Sequence, residues 1–285
     1  MSYTTLIEPA ELAQHLADPH WVIVDCRFDL ARPEAGREQY RAGHIPGARY
    51  AHLNEDLSGP ITPRTGRHPL PSPAEFARRL GAWGIDASKQ VVAYDDAGGA
   101  IAARLWWMLH WVSHDAVAVL NGGLSAWRAA GLPLETAEPR VTPVTFVPRA
   151  RNEQAMPVEA LIRGLADRSV LLVDARSADR FAGQNETIDP VAGHVPGALN
   201  HPFMSNLDSA RRFLPAQLLR ERWEQTLAGS SADKVVAMCG SGVTACHDLL
   251  ALQLAGLQGA RLYPGSWSEW IRDSSRPIAT GSAHD

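Results

Sequence analysis

The sequence repeats itself, and this repeat strongly limits the folds that the chain can adopt. Four segments of the first half return in the same order in the second half, at an almost constant offset. They are 24–27 and 173–176, 43–48 and 193–198, 91–93 and 235–237, and Gly122 with Trp127 matched by Gly265 with Trp270. A chain of 285 residues is long enough for about two domains with separate cores. The sequence therefore predicts one module that is used twice.

Short valine-rich runs alternate with helical patterns in both halves. This alternation predicts, twice over, an α/β domain with a mainly parallel sheet flanked by helices. The predicted strands are 21–25, 91–94, 170–174 and 234–238, and the predicted helices are 74–80, 100–111, 214–227 and 244–255. Residues 138–157 contain four prolines and predict an extended connector between domains of 1–137 and 158–285.

The charge composition argues against several classes of partner. The chain has 27 basic and 31 acidic side chains, and it lacks the basic run that nucleic acid or an anionic membrane would require. Three cysteines are too few for a disulfide framework. The most apolar run, 100–112, is too short to span a bilayer, and the N-terminus has no signal pattern. We therefore expect a cytoplasmic protein.

Features present in both halves are expected to serve the fold. His44 and His194 occupy matching Gly-His-x-Pro-Gly-Ala turns, so we interpret both as structural residues and not as catalytic bases. We interpret the other matched residues in the same way, namely Asp25 with Arg27, Asp174 with Arg176, and the core residues Trp127 and Trp270.

The informative difference between the halves follows a matched strand. The first half continues with Asp95, and the second half places Cys239 at the equivalent position. Both residues are expected at the C-terminal end of a strand with a helix just beyond. Because a carboxylate cannot carry sulfur, the first domain is predicted to be catalytically inactive, whereas Cys239 is a candidate nucleophile.

The loop that follows Cys239 favours a reactive thiolate. Small residues allow its backbone to curl so that successive N–H groups point inward and form an anion-binding nest. The N-terminus of the next helix adds positive potential. A buried free cysteine is the alternative, but ligand crevices of α/β sheets lie at the carboxyl ends of the strands. We therefore predict that Gly240, Gly242, Val243 and Thr244 form an anion-stabilising loop.

The other two cysteines are predicted to be packed thiols. Cys246 lies seven residues after Cys239 in a predicted helix, which separates the two Cα atoms by about 10 Å. That separation is too long for a disulfide. Neither Cys26 nor any other Cys or His has metal-ligand spacing, so no metal site is predicted.

The duplicated halves and the Cys-Gly-Ser-Gly-Val-Thr-Ala loop at 239–245 resemble the tandem rhodanese-domain sulfurtransferases. Both Gly-His-x-Pro-Gly-Ala turns and the segment 265–270 share this resemblance. It implies two rhodanese-like α/β domains, of which only the second carries the reactive cysteine.

The resemblance also implies a two-step reaction. Cys239 takes sulfur from a small anionic donor and becomes a persulfide, and a thiol, a thioredoxin-like protein or cyanide then removes the outer sulfur. No metal or organic cofactor is required. Inward N–H groups are suited to stabilising both the thiolate and the persulfide.

The two residues that directly follow the cysteine bear on the choice of donor. Members that prefer thiosulfate carry Arg-Lys there, whereas members that prefer 3-mercaptopyruvate carry Gly-Ser, which matches Gly240 and Ser241. Arg180 matches an arginine that holds the anionic group of the donor. A second arginine of the mercaptopyruvate branch falls at Asp189, which resembles the thiosulfate branch instead. The prediction is a 3-mercaptopyruvate sulfurtransferase with Ser241 as a catalytic proton relay, and thiosulfate as the alternative donor.

A further proton-relay residue of the family maps to His68. Its acidic partner maps near Asn54, which cannot act as a base, and Asp56 is close but out of register.

The residues at two positions argue against two other functions. A phosphatase of the Cys-x5-Arg type would need arginine at Ala245, and a non-catalytic binding module would have lost the cysteine.

Overall fold

A computed structural model describes residues 2–282, which fall into two compact units. The first unit comprises the described residues up to Gly59 together with Leu70–Arg151 and Ser209–Phe213. The second comprises Pro60–Pro69, Asn152–Asp208 and the described residues from Leu214 onward. The chain thus changes unit inside the predicted connector. Two short segments belong to the unit that is formed mainly by the other half of the sequence, which the sequence comparison did not predict.

The first unit is built on a parallel sheet whose strand order is β1-β5-β4-β2-β3 among the described residues. Its strands are β1 (Leu6–Ile7), β2 (Trp21–Asp25), β3 (Arg49–Tyr50), β4 (Gln90–Tyr94) and β5 (Val117–Leu120). Its helices are α1 (Pro9–Leu12), α2 (Ala35–Ala42), α3 (Pro73–Ala82), α4 (Ala102–Trp111) and α5 (Gly123–Ala129). The central strand β4 is buried along its whole length, as a strand covered by helices on both faces must be.

The second unit repeats this plan with the strand order β7-β6-β8-β9. Its strands are β6 (Leu171–Asp174), β7 (Leu199–Asn200), β8 (Val235–Met238) and β9 (Arg261–Leu262). Its helices are α6 (Val158–Ala166), α7 (Ala178–Phe181), α8 (Ala216–Leu227), α9 (Ala245–Leu254) and α10 (Ser266–Trp270). The pairing is again parallel throughout, so the α/β prediction is confirmed.

The register of the central strands shows that the two units are equivalent. Asp25 pairs with Tyr94 in the first unit, and Asp174 pairs with Met238 in the second. The residue that follows Tyr94 or Met238 is therefore the first to leave the sheet at its carboxyl edge. In one unit that residue is Asp95, and in the other it is Cys239.

The matched histidines stabilise the fold. His44 Nδ1 lies 2.7 Å from the Tyr40 carbonyl oxygen, and His194 Nδ1 lies 2.8 Å from that of Phe181. Each imidazole also stacks on the ring of the residue to which it bonds. Because each Nδ1 faces a backbone carbonyl inside the protein, both imidazoles are held as parts of the fold.

The matched ion pairs and tryptophans are structural too. The Arg27 guanidinium pairs with the buried Asp25 carboxylate and donates to the Gly43 carbonyl, and Arg176 repeats these contacts with Asp174 and Gly193. The indoles of Trp127 and Trp270 lie in the two cores and donate to the carbonyls of Pro133 and Pro277. Among the described residues, no helix has both the length and the apolar character needed to cross a membrane.

Candidate active site

Cys239 lies at the carboxyl end of β8, where its sulfur receives a backbone hydrogen bond. The Gly242 N–H donates to Sγ over 3.1 Å, and only 2% of Cys239 is exposed. A left-handed φ of 74° at Gly242 makes this turn. A side chain there would collide with the Pro264 carbonyl, so glycine is required by both conformation and space.

The remaining loop amides are arranged for an anion. Within the described residues, the N–H groups of Ser241, Val243 and Thr244 donate no hydrogen bond to another protein group. Thr244 is the N-cap of α9, a helix of ten residues, so the unpaired N–H groups lie where the helix dipole is positive. This is the geometry of an anion nest.

Residues at the start of α10 form hydrogen bonds with the backbone of the cysteine loop. Ser266 Oγ accepts the Cys239 N–H at 3.0 Å, and the carbonyls of Cys239 and Gly240 accept from Trp267 N and Ser268 N at 3.0 and 2.9 Å. Ser266 is fully buried and has a left-handed φ of 53°, which is unfavourable for a residue with a side chain. We call Ser266, Trp267 and Ser268 the clamp. The sequence predicted no contact between this segment and the cysteine loop.

His68 reaches the cysteine loop because its segment, Pro60–Pro69, belongs to the second unit. Its Nδ1 lies 2.7 Å from Ser241 Oγ, and both residues are buried. A hydroxyl bonded to an imidazole is able to pass a proton. Asp56, in the first unit, instead accepts from the His52 N–H and pairs with Arg79, and burial raises its pKa.

Arg180 lies beside the loop, but its guanidinium is largely engaged. Its Nε and Nη2 donate to the Glu186 carboxylate over 2.9 to 3.3 Å, and Nη2 also lies 3.2 Å from Asp189 Oδ2. A Cβ built on Gly240 would lie 3.6 Å from this Nη2. Arg180 is thus close to the residue after the cysteine, with one bidentate edge already occupied.

Arg67, which was not predicted from the sequence as a site residue, also lies beside Gly240. Its Nη1 pairs with Asp189 Oδ1 at 2.5 Å, and its backbone N–H donates to Ser268 Oγ. Its Nη2 would lie 3.2 Å from a Cβ on Gly240, and its Nε has no hydrogen-bond partner among the described residues. Nε and Nη2 form one edge of the guanidinium, so this edge, with its Nε buried, lies beside Gly240 without a carboxylate partner among the described residues. The only sequence signal was its position next to His68.

A buried polar chain lies beside the start of α9. His201 Nε2 and Trp223 Nε1 both lie within hydrogen-bond distance of Asn206 Oδ1, and Asn206 Nδ2 donates to Asp248 Oδ1 at 2.8 Å. Burial raises the pKa of the Asp248 carboxyl well above its usual range. Burial also lowers the pKa of His201 to about 4, so the imidazole is neutral at pH 7.

The other cysteines are packed thiols, in agreement with the prediction. Cys246 Sγ lies 3.4 Å from the Gly242 carbonyl inside α9, and Cys26 is fully buried in the first unit. Burial raises the pKa of the Cys26 thiol well above its ordinary value, and the nearby Asp25 carboxylate adds to this effect.

One group of side chains in the first unit has ligand atoms close enough for a metal. Atoms of Glu34, His52 and Glu55 lie within 4.8 Å of one another. The Arg37 guanidinium already pairs with both carboxylates, at 3.1 and 2.7 Å. A metal ion would have to compete with that cation, so the group gives no basis for a metal centre.

The equivalent loop of the first unit binds the carboxylate of its own Asp95. The Asp95 carboxylate accepts hydrogen bonds of 2.8 to 2.9 Å from the N–H groups of Ala97, Gly99, Ile101 and Ala102. Asp95 is almost fully buried. The nest therefore exists in both units, and in the first a carboxylate fills it.

Comparison with known proteins agrees with this geometry. A rhodanese-like domain model matches residues 8–130 and 157–273. A probable 3-mercaptopyruvate sulfurtransferase of Pseudomonas aeruginosa is 49% identical over 283 residues, which cover 99% of this chain and 100% of that protein. A putative thiosulfate sulfurtransferase of Mycobacterium tuberculosis is 40% identical over 98% of each chain.

A solved structure gives the same result at the level of the fold. The 3-mercaptopyruvate sulfurtransferase from Leishmania major has a TM-score of 0.83 and 34% sequence identity, over 94% of this chain and 74% of that one. The family model covers both halves, and the relatives match along nearly the whole sequence. The chain therefore belongs to the family of tandem rhodanese-domain sulfurtransferases.

Proposed function

We propose that this enzyme transfers sulfur from 3-mercaptopyruvate to a thiol or to cyanide through a persulfide on Cys239. The observation that carries the proposal is the Cys239 sulfur at the carboxyl end of β8, bonded to the Gly242 N–H and followed by three loop amides that have no partner in the part of the chain that the structure describes. Such a nest stabilises an anionic sulfur in the ground state and an anionic outer sulfur after transfer.

In the first step the Cys239 thiolate attacks the thiol sulfur of the donor. A sulfur–sulfur bond forms, the carbon–sulfur bond breaks, and its electron pair remains on carbon as the enolate of pyruvate. The proton of the donor thiol moves to that carbon, and pyruvate and the persulfide anion result. Ser241, bonded to His68 at 2.7 Å, is the group that we assign to carry this proton.

In the second step an acceptor attacks the outer sulfur. A thiol becomes a persulfide and leaves Cys239 as its thiolate, whereas cyanide becomes thiocyanate with the same outcome. The loop amides favour the Cys239 thiolate as leaving group, because they stabilise the charge that returns to Sγ.

Arg67 and Arg180 are proposed to hold the donor carboxylate. The Nε and Nη2 edge of Arg180 is paired with Glu186, whereas Nη2 of Arg67 is adjacent to Gly240 and pairs with no carboxylate among the described residues. We therefore assign the main contact with the carboxylate to Arg67 Nη2 and an additional charge to Arg180, which was predicted from the sequence as the donor-binding residue. An arginine fork matches a planar carboxylate in both spacing and charge.

Thiosulfate is the second candidate donor. The mycobacterial relative carries the name of a thiosulfate sulfurtransferase, and two arginines beside the cysteine loop provide charge for an oxyanion. Against it, Gly240 and Ser241 are neutral, and Asp189 and Glu186 balance both arginines.

The test is a comparison of the two donors. The protein is incubated with 3-mercaptopyruvate or thiosulfate, and the mass of the Cys239 peptide is measured for the addition of one sulfur atom. Steady-state kcat/KM is then measured for both donors with cyanide and with a dithiol. We expect the persulfide on Cys239 and a higher kcat/KM for 3-mercaptopyruvate. The reverse ranking would overturn the donor assignment, and sulfur on no cysteine would overturn the function.

A further inference from the structure

The buried polar chain beside the start of α9 is a feature that the proposed reaction does not use. His201 Nε2 and Asn206 Oδ1 are 3.0 Å apart, and Asn206 Nδ2 donates to Asp248 Oδ1 over 2.8 Å. Asn206 and Asp248 are fully buried, and His201 is 4% exposed. Asp248 Oδ2 is buried without a hydrogen-bond partner among the described residues, so the carboxyl depends on its bond to Asn206. Buried polar groups that are only partly paired cost stability.

One end of this chain belongs to the helix that follows the cysteine loop. Asp248 lies in the first turn of α9, and its N–H donates to the carbonyl of the N-cap Thr244 at 3.4 Å. The Val243 carbonyl likewise accepts from Cys246 N at 3.1 Å. Since the residues of one helical turn move together, the position of Asp248 determines that of the Val243 and Thr244 amides. Burial is the main cause of the raised pKa of Asp248, and the charge of Cys239 adds to it, so the two groups interact.

The other end of the chain is attached to the sheet beside Cys239. The N–H of His201 donates to the Asp174 carbonyl at 3.0 Å, at the carboxyl end of β6. Strand β6 is the neighbour of β8, and Asp174 pairs there with Met238, the residue before Cys239. The buried polar chain thus ties the edge of the sheet to the first turn of α9, which are the two elements that the cysteine loop connects.

The first unit holds the start of its equivalent helix in another way. The Asp95 carboxylate accepts the N–H groups of Ile101 and Ala102, so the side chain at the base of the nest itself holds the start of α4. In the second unit the Cys239 sulfur accepts from Gly242, which precedes α9. The start of α9 therefore needs support from another part of the structure.

From these contacts we propose that Asp248, held by Asn206, is a positioning residue that directs the amides at the start of α9 towards the charge on Cys239. The inference rests on the proposed function, because Cys239 is the sulfur carrier in it. Without the bond to Asn206 the first turn of α9 shifts, and its amides stabilise the thiolate and the persulfide anion less well.

The experiment measures the reactivity of Cys239 without any sulfur donor. The rate of its alkylation by iodoacetamide is followed against pH from the mass of the Cys239 peptide. Asp248→Leu removes the acceptor of Asn206 but fills a similar space. We expect its rate below the midpoint of the profile to fall about tenfold, and the midpoint to move upward by about one pH unit. On the alkaline plateau, where all of the thiol is ionised, the rates should agree within about twofold. Asp248→Asn keeps the acceptor oxygen and should restore the profile of the parent.

Two further variants separate positioning from stability. Asn206→Ala removes the same bond from its other end and should have the same effect on Cys239, so the test does not depend on the folding of one variant. Gln90→Leu is the control, because Gln90 is a buried residue of the first unit whose side chain bonds to the backbone of Tyr3. It should lower the unfolding temperature without changing the alkylation profile.

The outcomes for Asp248 and for the proposed function remain distinguishable. Rates within about twofold of the parent at every pH, in both Asp248→Leu and Asn206→Ala, would overturn the role of Asp248. An equal loss in Asp248→Asn or in Gln90→Leu would overturn it too. Persulfide formation on Cys239 is measured separately in the parent. Its absence with both donors overturns the proposed function, whereas the alkylation profiles still decide whether Asp248 positions the amides around Cys239.

Discussion

The two loops that follow the matched strands β4 and β8 direct their backbone N–H groups to different acceptors. In the first unit, one carboxylate accepts four N–H groups and fills the nest. In the second, one sulfur accepts an N–H from Gly242, and the amides of Ser241, Val243 and Thr244 donate to no protein group within residues 2–282. An anion nest is thus a property of the fold, and the residue at its base decides whether it binds its own side chain or a reacting group.

The segments that support the two loops also differ, at the matched positions Gly123 and Ser266. The first unit has Gly123 with a φ of 57°, where a side chain would collide with the Asp95 carbonyl. The second unit has Ser266 with a φ of 53°, and its hydroxyl accepts the Cys239 N–H. The reactive loop therefore has a strained side-chain contact where the closed loop has glycine, and strain of this kind is concentrated at functional sites.

The largest effect is expected from the nucleophile itself. Cys239→Ser should reduce sulfur transfer by at least about a thousandfold, because a hydroxyl is a poor nucleophile at neutral pH and forms no persulfide. The unfolding temperature should change little, since serine fits a small polar loop. Turnover and Tm are measured on the same preparation. Turnover within tenfold of the parent would remove the chemical distinction between the two loops.

The next effect concerns the closed loop of the first unit. Asp95→Ala leaves four N–H groups without their acceptor in a buried nest, and we expect a loss of stability of about 3 kcal/mol. Asp96→Ala, which removes the exposed neighbouring carboxylate, is the matched control and should cost less than about 1 kcal/mol. The measurement is urea unfolding at pH 7.5. Equal losses in the two variants would show that the Asp95 nest contributes no special stability.

Ser266 should have a smaller effect, on catalysis. Ser266→Ala and Ser266→Gly both remove the acceptor of the Cys239 N–H, and we expect kcat to fall about tenfold with either donor while KM stays the same. Glycine also relieves the left-handed strain, so equal losses in both variants would assign the effect to the hydroxyl. The control is Ser113→Ala, a left-handed serine in the first unit whose hydroxyl donates to the Arg149 carbonyl. A fall in KM with an unchanged kcat would contradict the role of Ser266 in positioning Cys239.

Sequence comparison predicted the parts of the site that depend on local order. The central strands of both units, the place of Cys239 at the end of β8 and the start of α9 all follow from valine-rich runs and small residues. The structural roles of His44 and His194 followed from their duplication. These inferences need only periodicity and internal repeats, and both are visible along the chain.

The missing parts depend on contacts between distant residues. Arg67 and Asp189 are 122 positions apart, and no local pattern marks either as the partner of the other. The membership of Pro60–Pro69 in the second unit is likewise a tertiary property. A single sequence contains no signal for such pairings, since a surface arginine and one in an ion pair look the same in composition.

The smallest effect expected concerns a histidine that one unit has and the other lacks. His201 and Ala51 occupy equivalent places, because the N–H of each donates to the carbonyl of the strand-end Asp174 or Asp25. Burial lowers the pKa of His201 from 6.5 to about 4. The unfolded chain therefore binds one more proton than the folded chain between these values, so His201 should stabilise the fold fully above pH 6.5 and progressively less as the pH falls towards 4.

Between pH 7.5 and 5.5 this difference amounts to about 1 kcal/mol of lost stability. His201→Gln removes the titrating group but keeps a side chain able to bond to Asn206, so its urea midpoint should fall less over the same pH range than that of the parent. Carboxylates elsewhere contribute equally to both proteins and cancel in the comparison. Parallel pH profiles of the two midpoints would show that the proton uptake of the second unit does not originate at His201, and the two units would then be alike in their response to acid.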